Sequence, residues 1–257
     1  MSAVQQTDVP PIPARLLGGP TVLLEYGGLR LLTDPTFDEP GVYPLTEDFA
    51  LVKTAPPRAR AADLGPLDAV LLSHDQHPDN LDHSGRALLA SVPVTFTTPA
   101  SAGRVDGDAR GLTEWESATL ARPGGGTVTV TAVPAIHGPD GLGQQVMGDV
   151  TGFVLTADDL PSVYISGDNA SLDAVRRIAE RFGPVDTAVL FIGAVRAAQV
   201  GGELITLDSA SAVEAARILG ARRVVAAHMD SWEHFREGRD DVVEAFAAAG
   251  LAHLLQA

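Results

Sequence analysis

The chain has 257 residues, 45% of them hydrophobic, which suffices for a large core, and no apolar run approaches the roughly 18 residues needed to cross a bilayer. There is no cysteine, so disulfides and thiolate metal ligands are excluded, and any metal must use His, Asp, Glu, Asn, backbone or water. The formal charge of −15 opposes a phosphate-rich partner, so nucleic acid is not expected.

Met1 to Gln6 are polar and lack the basic-then-apolar order of a secretory signal, which points to the cytoplasm. Residues 1–14 read as an extension before one domain, 15–257. Thr21–Glu25 and Leu29–Thr33 flank Gly27-Gly28 and predict a hairpin. Asp34–Pro57, with five prolines, reads as a loop. Strands are expected at 68–73, 92–98, 127–133, 152–156 and 163–166. Gly138–Gly148 reads as a second loop. Leu172, Val175, Ile178, Ala179 and Phe182 share one helical face. A strand at 186–192 follows, then a helix over 209–219 closed by Gly220, a strand at 223–227 and a helix over 240–249. Strands first and alternating units later imply an α/β protein with helices outside paired sheets.

Metal-competent side chains recur just after these strands. His74-Asp75-Gln76-His77-Pro78-Asp79-Asn80 follows the first, His137 follows 127–135, Asp168 follows 163–166, and His228 follows 223–227. A rigid sheet can hold side chains convergently at its strand ends. Taken singly, each has a plainer reading: His137 and His228 as loop residues, and Asp168 as a helix cap. Jointly, imidazoles and carboxylates at four strand ends suit Zn²⁺, Mn²⁺ or Fe²⁺.

The ordered set resembles the metallo-β-lactamase superfamily, and within it the branch related to L-ascorbate-6-phosphate lactonase. Leu17–Glu25 with Leu32–Pro35, Ser73–Asp82, Val133–His137, Ile165–Asp168 and Val224–His228 carry the resemblance, which spans about residues 15–250. It implies a four-layer αββα metallo-β-lactamase fold with metals between the sheet ends. The family loop reads His-x-His-x-Asp-His. By that pattern His77 is the second histidine, Asp79 the aspartate, His137 the next histidine, Asp168 the bridging carboxylate and His228 the last histidine. The first histidine falls on His74 if one residue is inserted, or on Asp75 if none is. Asn80 stands where the loop's final histidine belongs, and its amide oxygen substitutes poorly for imidazole. The resemblance therefore implies a complete first site, His74 or Asp75 with His77, His137 and Asp168. It implies a second site of Asp79, Asp168 and His228 that has lost a nitrogen.

The expected activity is hydrolysis of a small-molecule ester, lactone, amide or phosphoester, with one or two Zn or Mn ions supplying hydroxide. Asp79 would orient the nucleophile, and His234 would donate a proton or contact the substrate. The alternative is non-hydrolytic chemistry or ligand binding on a metal-depleted scaffold. Asp34 and Asp82 could orient the ligating imidazoles. Loops 34–62, 138–149 and 194–206 are expected to shape the pocket, with Gln199 and Glu203 directed into it. Trp232 and Phe235 would pack in the core or wall the pocket, while His83 and His253 have no expected role. No membrane partner is expected, and a homo-oligomer is compatible with the fold.

Overall fold

In the computed structural model, which describes residues 11–256, the chain opens with strands β1 (Ala14–Gly18), β2 (Thr21–Tyr26) and β3 (Leu29–Thr33). The expected extension lies almost wholly outside the described residues, and Ala14 already begins β1. Gly27 and Gly28, at φ 63° and 83°, turn β2 into β3. A two-residue hairpin loop asks for positive φ at both positions, which glycine adopts without steric cost.

The segment 34–57 is not all loop. It contains a second hairpin, β4 (Gly41–Pro44) and β5 (Ala50–Lys53), held as a separate two-stranded sheet. Both strands are short, and the prolines of the segment masked their alternation. Next come β6 (Ala69–Leu71), helix α1 (His83–Leu89), β7 (Thr95–Thr97), the single turn α2 (Pro99–Ala102) and β8 (Ala109–Gly111). Helix α1 was not legible at seven residues. Asp82 caps it by accepting from the Gly85 N–H. A Cβ on Gly85 would lie 1.8 Å from the Pro35 carbonyl oxygen, so only glycine lets this helix approach that loop.

The second half supplies β9 (Ser117–Ala121), β10 (Thr127–Ala135), helix α3 (Gly143–Met147), β11 (Val150–Ala157) and β12 (Leu160–Ile165). Helix α4 (Leu172–Phe182), β13 (Thr187–Phe191), α5 (Ser209–Leu219), β14 (Arg223–Ala227) and α6 (Arg239–Ala248) complete it. Gly220 takes the left-handed conformation, φ 58°, that ends α5. Helix α3 corrects the expectation of an unbroken loop over 138–148.

Two six-stranded sheets result, ordered β1-β2-β3-β6-β7-β8 and β14-β13-β12-β11-β10-β9. Alternation along each strand sorts side chains into separate cores. Val22, Leu24, Leu31 and Leu71 meet Val189, Phe191, Val225 and Ala227 between the sheets. Leu23, Leu32, Val70 and Leu72 face outward and pack with Leu89 of α1. Ala188, Leu190, Val224 and Ala226 face the opposite side, under α4, α5 and α6. The layers are therefore helix, sheet, sheet, helix, as expected.

Candidate metal centre

His74 follows β6, His137 follows β10, Asp168 follows β12 and His228 follows β14, so both sheets deliver side chains to one end of the seam between them. One ligand atom each from His74, His77, His137 and Asp168 lies within 4.8 Å of all the others. A second such group is Asp79, Asp168 and His228. Asp168 belongs to both. Its Oδ2 faces His74 Nε2 at 4.0 Å and His137 Nε2 at 3.6 Å, while Oδ1 faces His228 Nε2 at 3.6 Å. The cap of α4 is Ser171, so Asp168 is free of that plainer role.

Protons fix which ring atoms face inward. The Ile205 carbonyl can only accept, so His137 Nδ1, 2.6 Å away, carries its hydrogen and leaves Nε2 bare when the ring is neutral. Asp34 Oδ1 accepts from both the backbone N–H and the hydroxyl of Ser73, each at 2.8 Å. Ser73 Oγ then accepts from His74 Nδ1 at 2.9 Å, and His74 Nε2 is bare as well. Asp34 thus orients the His74 imidazole through Ser73. Nothing in the sequence marked the Ile205 carbonyl, because a backbone atom leaves no residue signature.

Burial keeps these rings uncharged. It holds His74 well below the usual histidine range, aided by His77 and His137. It pushes His137 down to about 4, with Asp168 offsetting part of the effect. His77 Nδ1 then faces two bare nitrogens, His74 Nε2 at 2.9 Å and His137 Nε2 at 3.3 Å. One proton on His77 can satisfy only one of them. A cation satisfies all three, and ligands about 2.0–2.2 Å from a tetrahedral ion stand about 3.3–3.6 Å apart. The residues present fit a metal.

The second group is more oxygen-rich. Burial opposes charge on both His228 and Asp79, but Asp168 and Asp79 outweigh it for His228, raising its pKa. His234 and His228 likewise hold Asp79 well below the usual carboxylate range. His228 sits at φ 59°, pinned by its N–H donating to the Gly19 carbonyl at 2.7 Å. Neither ring nitrogen has a hydrogen-bond partner, although Nε2 lies 3.3 Å from Asp79 Oδ2. A buried, unpartnered nitrogen between two carboxylates suits a cation. Asn80 is fully buried, donates from Nδ2 to Asp168 Oδ1 at 3.3 Å and leaves its own oxygen unpartnered. His234 Nε2 meets Asp79 Oδ2 at 3.0 Å from the solvent side, with its side chain 20% exposed.

Other expectations are corrected. Asp75 is not a ligand alternative to His74, because Arg104 at 2.5 Å and Ser101 at 2.8 Å hold its carboxylate away from the cluster. Asp82 orients no imidazole; it caps α1 and pairs with buried Lys53 at 2.9 Å. Gln199 and Glu203 are exposed, and Glu203 borders a different cleft beside Gly138 and Arg176. Trp232 is core, one of the two places expected for it, packed with Tyr43 and Leu51. His83 stacks on Tyr43 and pairs with Asp38, and His253 is exposed.

The family model described as "Beta-lactamase superfamily domain" matches residues 29–229. A metal-dependent hydrolase of Methanosphaerula palustris is 33% identical over 184 residues, covering 69% of this chain and 75% of that protein. N-acyl-phosphatidylethanolamine-hydrolyzing phospholipase D 1 of Caenorhabditis elegans is 27% identical over 250 residues, covering 90% of this chain and 68% of its own length. Among solved structures, isothiocyanate hydrolase from Delia radicum gut bacteria shares the fold, with a TM-score of 0.78 at 22% identity over 94% of each chain.

Proposed function

This chain belongs to the metallo-β-lactamase superfamily, and we propose that it is a metal-dependent hydrolase of a small-molecule ester, lactone, amide or phosphoester, active in the cytoplasm. The observation that carries the proposal is the convergence of three imidazoles on one carboxylate that also serves a second group. His74, His77, His137 and Asp168 would hold one divalent ion, Zn or Mn. Asp79, Asp168 and His228 would hold a second, with Asn80 in place of a nitrogen donor favouring a harder ion such as Mn²⁺. Bound there, the metal lowers the pKa of water and polarises the attacked oxygen.

The chain's own groups do the rest. Ser73 and the Ile205 carbonyl fix the tautomers of His74 and His137, so both rings already present a bare Nε2 to the site. Asp79 orients the nucleophile, its carboxylate held by the His234 imidazole at 3.0 Å. His234, at the mouth, is placed to donate a proton to the leaving group. The similar phospholipase and the isothiocyanate hydrolase of like fold are hydrolases of unlike substrates, which supports a hydrolytic reading. The resemblance to the ascorbate-6-phosphate lactonase branch adds lactones to the list.

The test is metal content by inductively coupled plasma mass spectrometry on protein purified without chelator or His-tag, followed by ester and lactone assays. One or two equivalents, lost together with turnover in His77→Ala/His137→Ala, are expected. Undiminished turnover in that double variant, or no metal after incubation with each ion, overturns the proposal and favours a ligand-binding protein.

A further inference from the structure

Six large hydrophobic side chains are exposed among the described residues, and five of them sit on two segments. Val42, Leu45 and Phe49, 66%, 41% and 48% exposed, belong to the β4–β5 hairpin. Leu142 and Val146, 41% and 40% exposed, flank or lie in α3. The loop carrying His77 runs between these segments. On one side Gln76 and Pro78 share a cleft of about 270 Å³ with Tyr43, Pro44, Leu45 and Arg86. On the other, Gln76 Nε2 would lie 2.6 Å from a Cβ added at Gly148, the residue that ends α3.

The apolar lining continues beneath the exposed residues. The hairpin rests on Tyr43, Leu51 and Trp232. Met147 of α3 packs on Val195, Ala197, Val200 and Ile205. Phe235 touches both groups, and its ring centroid lies 4.4 Å from that of His228 and 4.6 Å from that of His234. The exposed residues of the two segments therefore stand on buried apolar groups that share Phe235, whose ring abuts His228 and His234. Exposed apolar side chains gathered on segments that flank a cleft mark interaction or ligand surfaces. The guanidinium in the cleft is not free for an anion, since Arg86 Nη2 lies 3.4 Å from Asp75 Oδ2. The net charge of −15 likewise disfavours anionic substrates.

We infer that the substrate carries an uncharged apolar arm, an acyl or alkyl chain beside the bond that is cut, and that the cleft between the β4–β5 hairpin and the His77 loop receives it. This rests on the hydrolase reading and narrows it, setting phosphorylated sugars and phosphodiesters aside. Each methylene buried there contributes about 0.8 kcal/mol, which is about fourfold in kcat/KM per carbon until the cleft is full.

The test uses the metal-loaded full chain with 4-nitrophenyl esters from acetate to octanoate, and binding of acetohydroxamic and octanoylhydroxamic acids, which grip the metal without needing turnover. The expected result is a kcat/KM that climbs with chain length, and tighter binding of the longer hydroxamate. Val42→Asp/Leu45→Asp should flatten both series. Equal affinities for the two hydroxamates, or a slope untouched by the double variant, overturn the inference while the metal site stands. So does a flat series accompanied by a dimer that the double variant disperses, which would make the patch a self-association surface. Absence of both hydroxamate binding and turnover overturns the hydrolase reading and the arm site with it.

Discussion

Replacing Asp168 with Asn should separate the two energies that this residue carries. In the metal-free protein its carboxylate is 1% exposed, accepts one long hydrogen bond from Asn80 and lies 3.6 Å from the His228 nitrogen. Keeping a charge buried costs several kcal/mol before these contacts offset it, so removing it should change metal-free stability by no more than about 2 kcal/mol. With metal the balance differs. An ion at a free concentration a hundredfold above its Kd stabilises the fold by about 2.7 kcal/mol, and Asp168 serves both groups, so about 5 kcal/mol of metal-dependent stability should vanish together. That is a large share of the roughly 5–15 kcal/mol that holds a domain folded. Urea unfolding of chelated and metal-loaded samples, with metal content measured alongside, reads both quantities. Full metal-dependent stabilisation in Asp168→Asn would refute the shared-carboxylate reasoning. A loss of one ion with the other unaffected would show two independent sites.

Three further outcomes follow from particular contacts. Burial, partly offset by Asp168, pushes His137 down to about 4, so between pH 6.5 and 4 the unfolded chain holds a proton that the folded one rejects. Metal-free stability should therefore fall as pH drops through that window, by about 2 kcal/mol from pH 7 to pH 5 for this residue, and His137→Gln should lower the slope by that proton; identical slopes would contradict it. Lys53→Met leaves the fully buried Asp82 carboxylate without its cation and should cost about 3–5 kcal/mol in chemical denaturation, whereas a change under 1 kcal/mol would mean that the Asp38 and Gly85 N–H groups suffice. Gly85→Ala drives a methyl into the Pro35 carbonyl and should cost about 3 kcal/mol or more, read as a fall in Tm; an unchanged Tm would show that α1 shifts freely.

The positions that form the metal-competent cluster were legible because strand periodicity locates strand ends, and those ends carried the histidines and aspartates. The choice between His74 and Asp75 was not. It is decided by Arg104 and Ser101, from and just after the short turn α2, which reach back 29 and 26 residues to take the Asp75 carboxylate. Asp82 was misread for the same reason, since its partner Lys53 lies in a hairpin too short to announce itself. The expected four layers rested on long periodic segments. What failed to show were α1, α2, α3, β1, β4, β5, β8 and β9, elements of three to seven residues whose local preferences are weak and whose positions are set by packing.

The site also ties the chain to itself. His77 and His137 are 60 residues apart, and they reach the seam from opposite sheets. An ion gripping both closes a loop of that length, and a covalent link closing such a loop removes roughly 3–5 kcal/mol of chain entropy from the unfolded state. In a protein with no cysteine, a bound metal would take over the duty that a disulfide performs elsewhere. The loaded fold should then be durable as well as active, and the speed at which a chelator strips it becomes a clock for how often the two sheets part.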